Sequence, residues 1–199
     1  MIFGACFMSK LKSEFFYQVR YGLPVWLVML LCAWMPDFSP AIKLRGFLVA
    51  IFLPGRPKNL TIGRDVTLLS LNRLNIGSDV YLAKGVWVNA IGGVTISDEV
   101  VIAPYVVMSS NNHGFKNDSV KQGGAHPEPI YIGRGTWLAS HSVIAAGVKV
   151  ESGNLIAANS VVTKSTSKNG VYAGVPAVKV KDRIDNPSSI QSKHDVELR

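Results

Sequence analysis

From Ile62 onward, a branched aliphatic residue followed by a small one recurs along the chain. IGRDVT begins at 62, IGSDVY at 76, LAKGVW at 82, ISDEVV at 96 and IAPYVV at 102. The pattern resumes as IGRGTW at 132, LASHSV at 138, IAAGVK at 144, VESGNL at 150, IAANSV at 156 and VTKSTS at 162. A spacing of six suits neither a half-buried strand of period 2 nor a helix of period 3.6, and it identifies an internal repeat. Each hexad predicts a short strand and a corner, with three per coil. The aliphatic first position points inward. Gly, Ala or Ser follows because the corner is crowded and asks for backbone conformations that a side chain resists. Stacked coils then pair every strand with those above and below, so that parallel sheets enclose an aliphatic ladder. The eight-residue steps from 68 to 76 and from 88 to 96 fit corner loops two residues longer. The repeat stops after Met108 and resumes at Ile130, and the interruption NNHGFKNDSVKQGGAHPEP, rich in Asn, Gly, Lys and Pro, predicts a protruding loop.

Before residue 60 the period changes. Phe15, Phe16, Val19, Leu23, Trp26, Leu27 and Leu30 recur near 3.6, as do Leu44, Phe47, Leu48, Ile51 and Phe52, which predicts two helices. The apolar run Tyr21–Pro36 contains Pro24 and is shorter than the roughly 20 residues of a spanning helix. PDFSPA is a poor signal-peptide cleavage site, because proline flanks its small residues. Residues 10–58 carry Lys10, Lys12, Arg20, Lys43, Arg45, Arg56 and Lys58 against Glu14 and Asp37. A basic amphipathic segment of this kind can lie on an anionic bilayer, or can pack against the main domain or a sister subunit.

Composition narrows the class. With 199 residues, 48% of them hydrophobic and 17% charged, the chain is one domain with an appendage and is not disordered. Its formal charge of +8 suits an anionic partner. Nucleic acid is not expected, because the cations are not interleaved with aromatics and no nucleic-acid-binding motif appears. Cys6 and Cys32 have no CxxC spacing, so neither disulfide nor zinc is indicated, and a cytoplasmic location is expected, at the inner face of the membrane if the N-terminal segment docks there. No P-loop, GxGxxG after a strand or metal-ligand spacing is present.

The repeated [LIV]-[GAS]-x-x-[STV]-x pattern, with the ending IAANSVVTKSTSKNGVYAGVPAVKVK, resembles the hexapeptide-repeat acyltransferases, and within them the maltose/galactoside and exopolysaccharide O-acetyltransferase branch. The resemblance covers about 60–181. It implies an all-β left-handed parallel β-helix over 60–181, and the residues themselves divide the rest into an N-terminal helical apolar extension over 1–59, an excursion loop over 114–129 and a polar tail over 182–199. It further implies acetyl-CoA as co-substrate, a saccharide acceptor in surface polysaccharide or O-antigen modification, and a homotrimer with sites between subunits. The bulky apolar N-terminus favours a lipid-linked or polymeric acceptor, and without metal-ligand spacing no metal is expected.

The same resemblance places the catalytic histidine in the interrupting loop, where NNHGF puts His113. The chemistry suits it: a neutral imidazole, with an ordinary pKa of about 6.5, can accept the proton of an alcohol and later protonate the departing thiolate. By position, Asn89 and Trp137 correspond to residues near the acceptor. The cofactor contacts fall at Ala139, Ser140, Ala158, Thr163 and Lys164, with Lys181 beside a phosphate. The backbone N–H of Ser140 is the expected oxyanion donor. After AGVPA the family usually has Arg, whereas here Val178 stands there and Lys179 follows. His126, at the loop's exit, is a candidate acceptor contact; His141 reads as a turn residue and His194 as part of the tail. The alternatives are an N-acetyltransferase acting on an amino sugar and a non-catalytic β-helix scaffold. A zinc site built from His113, His126 and His141 does not match the carbonic-anhydrase-like pattern.

Overall fold

Strands of two or three residues follow one another at every hexad, and each lies over the strand one coil earlier. The computed structural model describes residues 11–183; Cys6, Lys10, His194 and the tail from 184 onward lie outside the described residues. The coil is left-handed and has three faces. The first face stacks Thr61–Ile62, Tyr81–Leu82, Val101–Ile102, Trp137–Leu138, Leu155–Ile156, Gly170–Gly174 and Ala177–Asp182. The second stacks Thr67–Leu69, Trp87–Asn89, Val107–Ser109, Val143–Ile144 and Val161–Val162. Leu74–Ile76, Val94–Ile96, Ile130–Ile132 and Lys149–Val150 make the third. Pairing within the faces is parallel except for the final hairpin, Gly170–Gly174 with Ala177–Asp182.

Register follows the hexads. Trp137 pairs with Leu155, three hexads on. Trp87 pairs with Val107 at a spacing two residues longer, and the excess lies in the corner between the second and third faces. The first hexad positions Ile62, Leu82, Ile102, Leu138 and Ile156 are fully buried and form the predicted ladder.

The two demands expected of the small second position turn out to fall on different residues. Crowding does lie at the second position: a Cβ at Gly63 would sit 2.5 Å from the backbone nitrogen of Lys84 on the next coil. The left-handed backbone falls instead at the fourth position, held by Asp65, Asp79, Glu99, Tyr105, His141 and Asn159 as well as by glycines. Asn and Asp tolerate that conformation better than most residues, which accounts for several of these choices.

The helices close the open end of the coil. Helix Ser39–Ala50 lies against the first strand, and Gly46 allows the approach, because a Cβ there would overlap the carbonyl of Leu60. A second helical rod, 11–31, whose Gln18–Gly22 segment is π-helical, packs through Tyr17, Tyr21 and Val25. The stripes that periodicity singles out are not the stripes that pack on the main domain. Phe15 is 71% exposed, Trp26 59% and Phe47 65%. The side chains turned to the coil are smaller: Ala41, Gly46, Val49 and Ala50 are buried. Close helix-on-coil contact needs small residues, so most of the bulky stripe is left outside, while Phe52 packs against the core. Among the described residues no helix is long and apolar enough to cross a membrane.

The outward rows of the three faces differ. The first shows Val101, Trp137 and Leu155, and the second Trp87, Val107 and Val143. The third shows Asn75, Thr95, Tyr131 and Lys149.

Candidate active site

The interruption of the repeat leaves the corner between the second and third faces. Ser110, fully buried, continues directly from the strand Val107–Ser109. Asn111–His113 then pairs antiparallel with Ala125–Pro127, so the loop is a β-hairpin, with a short helix, Val120–Gly123, near its tip. His113 therefore stands on a strand of the hairpin.

The hairpin is pinned at its foot. The Ser110 hydroxyl donates to the carbonyl of Asn89 at 2.8 Å and accepts from the Gly92 N–H at 2.8 Å. The Glu128 N–H donates to the Ser110 carbonyl at 3.0 Å, closing the foot on the return side. A Cβ at Gly92 would lie 2.5 Å from that carbonyl oxygen and 2.7 Å from the Glu128 nitrogen. Gly92→Ala is therefore expected to push the two strands of the hairpin off the coil, at about 1–3 kcal/mol as for other overpacked sites. Turnover should fall at least tenfold while the β-helix stays folded, checked by steady-state kinetics and by faster proteolytic cleavage within 114–124.

His113 is exposed, and its Nε2 lies 3.3 Å from the Asn111 side-chain nitrogen. With the amide N–H donating, Nε2 is the ring nitrogen that carries the lone pair. The buried Oδ1 of Asn111 has no hydrogen-bond partner. The sequence reading missed Asn111. Its signal is the i, i+2 spacing that puts two side chains on one side of a strand, usable only once this stretch is known to be extended. His126 pairs with Asn112, so it projects from the opposite side of the hairpin, with its ring over Gly114.

Asn89 lies directly under Ser109, at the foot of the hairpin. Its Oδ1 accepts the Ile91 N–H at 3.2 Å, while its amide N–H groups make no hydrogen bond among the described residues. Thr163 and Lys164, both exposed, stand on the same corner at the far end of the coil. Asn89, His113, Thr163 and Lys164 thus share one edge of the prism.

The other candidates do not. Ala139, Ser140 and Ala158 lie on the corner between the first and second faces. There the Ala139 N–H is used by Ile156, and the Ser140 carbonyl accepts from Asn159. The Ser140 N–H has no partner among the described residues. Trp137, 48% exposed, stands on the first face, and Lys181 lies on its terminal hairpin beside Val171. Hydrogen bonding to Asp182 holds the Lys179 ammonium above the usual lysine range. His141 is at the first corner, stacked on Tyr105 with ring centroids 5.2 Å apart, so it does not converge with His113 and His126. Among the described residues no three His, Cys, Asp or Glu side chains are grouped to hold a metal.

A three-faced coil of six-residue repeats, interrupted by one hairpin, is the architecture of the hexapeptide-repeat transferases. Residues 129–164 match the bacterial transferase hexapeptide (six repeats) family. The chain is 35% identical over 128 residues to the galactoside O-acetyltransferase of Escherichia coli K12, a match covering 61% of this chain and 63% of that protein. It thus spans under two thirds of that relative's length. A putative colanic acid biosynthesis acetyltransferase (WcaF) of the same organism is 27% identical over 89% of this chain and 90% of its own. A putative lipopolysaccharide biosynthesis O-acetyl transferase (WbbJ), also from E. coli K12, is 30% identical over 62% of this chain and 69% of its own. Among solved structures, a galactoside acetyltransferase in complex with coenzyme A superposes with a TM-score of 0.65 at 27% identity, covering 82% of this chain and 80% of that one. The chain belongs to the hexapeptide-repeat transferase family.

Proposed function

We propose that this protein transfers the acetyl group of acetyl-CoA to a sugar hydroxyl during the building of a surface polysaccharide. The observation that carries this reading is His113, an exposed imidazole raised on a hairpin whose foot is locked to the coil beside Asn89. The neighbours support the rest, since they include sugar acetyltransferases, a coenzyme A complex and relatives named for colanic acid and lipopolysaccharide. In the reaction, the acceptor hydroxyl displaces the Asn111 amide from Nε2 of His113 and gives that nitrogen its proton as its oxygen attacks the thioester carbonyl. The tetrahedral oxyanion is met by a backbone N–H, for which Ser140 is the candidate. Collapse breaks the C–S bond, and the imidazolium returns its proton to the departing thiolate.

The split between corners bears on assembly. In one coil the Ser140 corner and the His113 corner are separated by the width of the second face, on the order of 15 Å for a strand and its flanks. A reaction using both is completed if the hairpin of one copy meets the first corner of the next. The apolar outward rows of the first and second faces, against the polar third, favour such contact in a closed ring, and a trimer is the reading adopted. A lipid-linked acceptor fits the apolar N-terminal helices, which would rest on the membrane through 10–58. The test is incubation of purified protein with acetyl-CoA and extracted cell-surface glycan. Free CoA thiol should appear together with an O-acetyl mass increment on the glycan; thiol release without acetylated glycan, or acetyl on nitrogen, would refute the assignment.

A further inference from the structure

Beside helix Ser39–Ala50, between it and the first coil, lies a groove of about 980 Å³ whose lining includes no residue of the His113 corner. One side is apolar, with Phe47, Ile51 and Leu60. The other carries Lys43, Arg56 and Lys58, none of which has a carboxylate partner among the described residues. Asp79 is the one acidic group in the lining, and its carboxylate accepts from the Asn59 side chain at 2.9 Å. The groove therefore keeps a cationic excess next to hydrocarbon.

The groove shares Phe47 and Ile51 with the exposed stripe of helix Ser39–Ala50, and the first rod and the turn after it expose Phe15, Trp26, Leu30 and Trp34, with Trp34 80% exposed. Large aromatic side chains beside lysines and arginines are the composition that settles at the boundary between headgroups and acyl chains. A second copy docked two-fold through this same surface would meet the groove with the same positive charge. An anionic bilayer offers phosphate to the cations and hydrocarbon to the stripe at once.

We infer that the groove of Lys43, Arg56 and Lys58 binds the phosphate headgroup of an anionic membrane lipid, while the Phe15–Trp34 stripe lies in the same leaflet. This rests on the reading that 10–58 meets a membrane, and it names the lipid class and the residues that select it. The hairpin corner takes no part.

The experiment is co-sedimentation of the full chain with extruded vesicles, either of phosphatidylcholine alone or of phosphatidylcholine with phosphatidylglycerol. The parent should bind the anionic vesicles, less so as salt rises. Lys43→Gln/Arg56→Gln/Lys58→Gln should weaken that binding on the order of 100-fold, about fivefold for each charge removed, with thermal unfolding unchanged. Trp26→Ser/Trp34→Ser should weaken it too while keeping the salt dependence. Equal binding of the triple variant overturns the headgroup site and leaves membrane contact standing. No binding of the parent to either vesicle overturns both, as does a stripe that is covered only in concentration-dependent oligomers. Acetyl transfer to a soluble sugar, followed by CoA thiol release, is indifferent to all three results and reads the catalytic assignment separately.

Discussion

His113→Ala is expected to lower turnover by a factor on the order of 10²–10⁴, the usual worth of a positioned general base. The fold should survive, because the imidazole is exposed and its ring makes a single hydrogen bond, to Asn111. Binding of acetyl-CoA should be retained as well, since the candidate cofactor positions lie outside the hairpin, Ala139, Ser140 and Ala158 on another corner and Thr163 and Lys164 on later coils of the same edge. His126→Ala is the internal control. That side chain projects from the other side of the hairpin, and its loss should alter the apparent affinity for acceptor more than turnover. Stopped-time assays of CoA release, with titration of acetyl-CoA by calorimetry, separate these effects. A folded His113→Ala protein with near-parental turnover on its own acceptor would remove the histidine from the chemistry and leave the hairpin in need of another purpose.

Arg45→Met should cost the most stability of any single change at the helical end. The guanidinium is 1% exposed and reaches Asp37 at 3.0 Å, the carbonyl of Ile62 at 2.7 Å and that of Met35 at 3.2 Å. One side chain thus joins the 32–37 connection and the first strand of the coil. Removing it leaves those carbonyls without a donor and leaves the Asp37 carboxylate with only the Arg64 backbone N–H, at 2.9 Å. Breaking a buried pair from one side costs about 3–5 kcal/mol. For a chain of this size each kcal/mol moves the melting temperature by about 2–4 °C, so a fall of roughly 10 °C is expected in circular dichroism melts. Asp37→Asn added to Arg45→Met should cost less than the sum of the two, because the second change removes the stranded charge. A melting temperature within a degree or two of the parent's would show that the helices are held by apolar contact alone.

The hexads were legible because their cause is local. A residue that faces inward at Ile62, Leu82 or Ile102 must be aliphatic, and the one after it must be small, whatever the rest of the chain does. Coil length, the longer corners and the position of the interruption follow from counting alone. His113 was readable for the same reason, as a reactive side chain placed where the period stops. Asn111 and the lock made by Gly92, Ser110 and Glu128 were not. They depend on which strand lies above which, and the hairpin pairing that sets the orientation of His113 spans residues that share no periodic signal.

The N-terminal helices separate the two kinds of information most clearly. Periodicity found two helical runs, 15–30 and 44–52, each with a bulky apolar stripe, and the structure places the helices at 11–31 and 39–50. It could not choose which side meets the coil, because Tyr17, Tyr21 and Val25 form an apolar stripe of their own. Tertiary structure made that choice through close approach: Gly46 and Ala41 allow the helix to touch the coil, and Phe15, Trp26 and Phe47 are left outside. It also decided that the candidate residues divide between two corners of a prism. Residues six apart in sequence look adjacent in a repeat, but a three-sided coil turns them onto different faces.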